Sequence, residues 1–99
     1  MYEEQIRRGI AWLEAERPKV SLDSIDLDVL LLTDWERCIL GQLLGEVSCL
    51  RIIEADKAWA VQHGFHLMGG DEAEWDLLTR EWVRILRARR TAPELEVEA

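Results

Sequence analysis

A chain of 99 residues can close one hydrophobic core and has no length for a second. Apolar residues at 48% and charged residues at 32% are the mixture of a foldable globular domain, not of a disordered chain. The net charge of -8, from 20 acidic and 12 basic side chains, repels phosphate backbones and anionic headgroups, which argues against nucleic acid and membrane surfaces as partners.

The first segment, Glu3 to Arg17, sets Ile6, Ile10 and Leu13 on one helical stripe with Trp12 beside it, and Pro18 ends it. In residues 19–32, Ile25, Leu27 and Val29 alternate with Asp26 and Asp28, the period of a short strand or a pinned loop. With no partner strand elsewhere, an extended connector laying its aliphatic side on the helices is expected. Thr33-Asp34-Trp35-Glu36 has the form of a capping box and predicts a helix over 34–44 through Cys38, Ile39, Leu43 and Leu44. In that helix Gly41 and Gly45 leave a smooth strip for a neighbouring backbone. A third helix is expected over 47–63, with Gly64 as left-handed cap and Glu54 to Asp56 the one place where it could break.

After the turn at Met68-Gly69-Gly70, Asp71 and Glu74 open a last helix over 72–90 with the apolar face Trp75, Leu78, Trp82, Ile85 and Leu86. Acids in its first turns and arginines at its end complement the helix macrodipole. From Thr91, Pro93 and the glutamates at 94, 96 and 98 predict a flexible acidic tail over 92–99. The expected fold is therefore all-α: one domain over 1–91, a compact bundle of about four helices with one extended connector, and a disordered acidic tail. Leu43 and Leu78 are expected in its core.

Cys38 and Cys49 lie in apolar helical sequence, whereas a secreted domain of this size carries a denser paired framework. Both are expected reduced and buried, in a cytoplasmic protein. No apolar signal core follows Met1, and the longest aliphatic run, Val29 to Leu32, is far too short to span a bilayer.

No residue set carries a recognisable chemistry. His63 and His66 with the two cysteines lack the Cys-x2-4-Cys knuckle of small zinc domains, and Gly64 separates the histidines at a helix end. Neither cysteine is expected at a helix N-terminus or beside a base, where a thiol would be activated. Asp23, Asp26 and Asp28 lack the glycine and closing glutamate of a calcium loop. No catalytic residue, metal or cofactor is assigned.

Two features point to binding. Arg80, Arg84 and Arg87 at i, i+4, i+7 form one basic stripe, which as helix-terminal cations also stabilises in its own right. Five tryptophans are an excess for this length. A core this small has room for three, and indoles are enriched at interaction hot spots, so they either all pack internally or leave an anchor exposed. Trp35, in the first turn after the connector, is the first candidate anchor, and Trp12, beside its helix stripe, the second.

The runs Gly9-Ile10-Ala11-Trp12-Leu13, Ile25-Asp26-Leu27-Asp28, Cys38-Ile39-Leu40-Gly41-Gln42-Leu43-Leu44-Gly45, Gly64-Phe65 and Glu74-Trp75-Asp76-Leu77-Leu78-Thr79-Arg80-Glu81-Trp82 together resemble small helical proteins of actinobacteria and their phages. Glu46 to Ala55 is richer in aliphatic residues than that group. The resemblance implies a phage or prophage accessory protein in the bacterial cytoplasm and brings no activity, cofactor or catalytic residue with it. The function expected is a non-enzymatic protein-interaction module acting on a host protein or on a second copy. Alternatives are an acidic nucleic-acid mimic and a small enzyme built around Gln42, Asp56 and His63.

Overall fold

The structure, a computed structural model, describes the backbone of residues 2–98 and the side chains of residues 2–90. Helix α1, Glu3–Glu16, buries Ile6, Ile10 and Leu13, the stripe its sequence predicts, together with Gly9. It ends at Arg17, whose N–H donates to Leu13 O before Pro18 interrupts the helical pattern. The connector that follows forms no strand, only a single 3-10 turn at Leu22–Ser24, with the Ser21 side chain accepting from Asp23 N.

The connector's buried side is not the simple alternation expected. Ile25 is buried and Leu27 half-buried, but Val29 is exposed and the core contacts pass to Leu30 and Leu32. Strict period-two burial needs continuously extended backbone, and turns over 27–29 break that phase.

The second helix starts five residues later than expected. The box Thr33 to Glu36 does not cap it; instead the Asp34 carboxylate accepts from Glu36 N at 2.8 Å and Arg37 N at 3.2 Å, holding residues 31–37 in turns. An Asp side chain that satisfies the local amides offers the backbone an alternative to a helical turn. Helix α2, Ile39–Leu44, begins at Cys38, whose sulfur accepts from Gly41 N. Gly41 matters as expected, because a side chain there would run into the Trp35 carbonyl. Gly45 is different: with φ +94 and open space around it, it serves as the junction to helix α3, Glu46–Ala55.

The expected helix over 47–63 is two helices. Asp56 adopts extended backbone and its side chain accepts from Trp59 N at 3.0 Å, which stops α3 and caps helix α4, Lys57–Gln62. The chain then reverses at Gly64, φ +76. Helix α5, Glu72–Glu98, is opened by the Asp71 carboxylate accepting from Glu74 N at 2.9 Å. The acidic tail expected over 92–99 falls outside the fully described residues.

Among the described residues there are five α-helices and no strand. The core sits where α1, α4 and α5 meet. Trp82 is fully buried, its indole N–H donating to Gly64 O at 2.6 Å and its ring stacked on Phe65 at 5.7 Å. Trp12 and Trp59 meet edge to face at 4.9 Å beside them. Gly9 and Gly64 let α1 cross the 63–65 turn closely, since a side chain at Gly9 would strike the His63 carbonyl and one at Gly64 the Ile6 backbone. Leu78 is buried as expected, but Leu43 is only half-buried, because the later start of α2 turns Ile39 and Leu40 inward instead.

Candidate interaction surface

Helix α5 presents a buried face to the core and an outer face to solvent, and the connector lies along one edge of it. Thr79 fixes the seam between them: its hydroxyl donates to Trp75 O at 3.0 Å and accepts from Leu32 N at 3.3 Å. At the far end Arg90 holds the connector with one guanidinium, whose Nη2 donates to Leu22 O, Asp23 O and Ile25 O at 3.4, 3.2 and 2.6 Å. Composition presented Arg90 only as a helix-terminal cation. What could have revealed the clamp is the connector turn at 22–25, in which Leu22 O accepts from Ile25 N while the Asp23 and Ile25 carbonyls accept no backbone amide among the described residues.

Two grooves lie along this seam and share Thr79. One, of about 700 Å³, has Leu31, Ala73 and Trp75 on its walls and the acids Asp71, Glu72 and Asp76 at its rim. The other, of about 540 Å³, has Leu27, Leu30 and Val83 as its apolar wall and Arg80, Arg84 and Arg87 beside it. The three arginines expected to form a stripe thus border an apolar trough, all of them exposed. Arg80 pairs with Asp76 at 3.0 Å and Arg84 with Glu81 at 2.7 Å, contacts that at the surface hold little energy and can exchange for a partner's charges.

Trp35 is the one exposed indole of the five, at 37%. It stands on a turn closed by Leu31 N donating to Arg37 O at 3.2 Å, and Leu31, itself exposed, lines the acidic groove. Trp12 is half-buried, packed against the core cluster through Trp59 and Phe65. Trp75 meets His66 edge-on at 5.4 Å.

The residues considered for an enzyme are all occupied structurally. Gln42 accepts from Asp26 N and donates to Asp26 O and Arg37 O, Asp56 caps α4, and His63 stacks on Trp59 at 4.1 Å with Nδ1 2.8 Å from Trp59 O. No cluster of three or more metal-ligating side chains occurs among the described residues. No described helix is long and apolar enough to cross a membrane.

The cysteines depart from expectation in one respect. Cys38 does stand at a helix N-terminus, as the cap of α2, and its sulfur lies 3.0 Å from that of Cys49 on α3. Both are free thiols and buried. The bond from Cys49, helped by backbone amides, holds the Cys38 thiol below its ordinary value against the opposing effect of burial, while Cys49 is pushed strongly upward.

No protein-family model, curated protein or solved structure matches this chain.

Proposed function

We propose that this chain is a non-enzymatic protein-interaction module whose docking face is the seam between α5 and the connector. The supporting observation is the seam itself: two grooves that meet at Thr79, one rimmed by acids and the other, apolar-walled, bordered by arginines, with an exposed tryptophan on the adjoining turn. Such a face fits an amphipathic helix whose charges run in the opposite order, its apolar ridge seated on Leu27, Leu30, Leu31 and Val83. In line with the family resemblance, the partner is a host protein in the bacterial cytoplasm, and the chain is a phage or prophage accessory protein. Nucleic-acid mimicry ranks lower, because the carboxylates of α1 and α5 alternate with arginines and pair with them, as in Glu3–Arg7, Glu4–Arg8 and Asp76–Arg80.

A specific observation favours a second copy as the alternative occupant. In an antiparallel pair of α5 helices with a two-fold axis near Thr79 and Arg80, Glu72 faces Arg87 and Asp76 faces Arg84 to within one residue, so the charge order is self-complementary. Capture from a bacterial lysate, alongside light scattering of the purified chain, tests both. The double variant R84E/R87E and Trp35→Ala should each weaken binding by about 2 kcal/mol, roughly 30-fold, with far-UV dichroism unchanged. If the second copy is the occupant, adding E72R and D76R to R84E/R87E restores the dimer. Capture and oligomeric state that ignore these variants would remove the seam as the docking face.

A further inference from the structure

We propose that Cys38 and Cys49 form a reversible dithiol–disulfide couple, a redox-modification site inside the α2–α3 hairpin that is independent of the interaction surface. The two sulfurs are 3.0 Å apart, so a disulfide requires them to close by only about 1 Å. The chain between them can take up that movement. It turns at Gly45, whose φ of +94 and open surroundings leave the junction of α2 and α3 unconstrained by neighbouring side chains.

The two sulfurs are also chemically unequal. Cys38 Sγ accepts from Gly41 N at 3.1 Å and lies in hydrogen-bond contact with Cys49 Sγ at 3.0 Å, so negative charge is better held on Cys38, beside that amide, than on Cys49. The reactive species is the thiolate, which makes Cys38 the attacking sulfur and Cys49 the resolving one. With hydrogen peroxide as oxidant, Cys38 thiolate bonds to one peroxide oxygen and the O–O bond breaks. The departing hydroxide takes a proton and leaves as water, and Cys38 becomes a sulfenic acid. Cys49 then loses its proton and its sulfur bonds to that of Cys38. The S–O bond breaks and a second water leaves. Two thiols and one peroxide give one disulfide and two waters, and a small dithiol reductant reverses the change by exchange.

Burial sets the pace of this chemistry. Cys38 is 3% exposed and Cys49 fully buried, so the oxidant reaches them through opening of the six-residue α2 and reaction is slower than at a surface thiol. The resolving thiol, already in contact, then captures the sulfenic acid before a second oxidation.

The test uses the full chain, reduced, folded and treated with hydrogen peroxide, then denatured and alkylated. Tryptic cleavage after Arg37 and Arg51 leaves both cysteines in the single peptide 38–51, so an intramolecular link is read directly. The expected product is monomeric, lacks two hydrogens in that peptide, resists alkylation, melts about 5 °C or more higher than the reduced chain, and reverts with dithiothreitol. Cys49→Ser should instead retain added oxygen on Cys38. Full alkylation of the peroxide-treated wild type, added oxygen in its 38–51 peptide, or a covalent dimer would each overturn the proposal, whether or not the serine variant folds.

Discussion

His66 carries its physical role in its surroundings. Its ring is half-buried against the edge of Trp75, and burial, reinforced by Lys57 and opposed by Glu54, holds its pKa below the ordinary 6.5. The unfolded chain therefore binds a proton more readily than the folded one near that pH. The stability this neutral histidine provides is complete above pH 6.5 and is lost as pH falls through the lowered folded value. Glu3 and Glu81, held below 4.5 by Arg7 and Arg84, add their losses only at lower pH. Urea denaturation followed from about pH 7 to pH 5 should show stability declining in the wild type and declining less in His66→Asn. Equal slopes would place the responsible proton elsewhere. The sequence exposed His66 as a residue type, but its environment comes from Trp75 and Lys57, which lie on two different helices.

Among the elements, the helix starts separate local from non-local information. The starts of α1 and α5 were legible because each depends on residues within one turn: Glu3 and Glu4, Asp71 with Glu74. The Asp56 cap that divides 47–63 was not legible, only the place where a break could fall. Nor was the start of α2. Thr33-Asp34-Trp35-Glu36 contains two adjacent residues able to cap, and the pattern alone does not choose between them. The connector does, because Thr79 takes Leu32 N and buries Leu32 against α5, leaving Asp34 to bind the next amides. Accordingly Asp34→Ala should cost about 1 kcal/mol and Thr33→Ala should be close to neutral in thermal denaturation. The reverse order would restore the capping box and a helix from residue 34.

For the whole molecule, the core is a meeting of aromatic rings around Trp82, and its side chains come from α1, α4, the 63–65 turn and α5. Leu78 lies wholly inside, so Leu78→Ala should cost about 2 to 5 kcal/mol in urea unfolding. Leu43, half-buried, should lose less than about 2 kcal/mol on the same truncation. Equal losses would mean that α2 packs a different face inward. By itself the sequence determined the all-helical class, the stripes of α1 and α5 and the turn at Gly64, because helical periodicity, caps and glycine conformation are properties of neighbouring residues. Tertiary structure alone decided which tryptophans are inside, that Cys38 meets Cys49, that Arg90 clamps the connector and that the arginine stripe borders an apolar trough. Each of these joins segments distant along the chain or brought together by a turn, and their contact is fixed by how the helices pack and not by any local pattern.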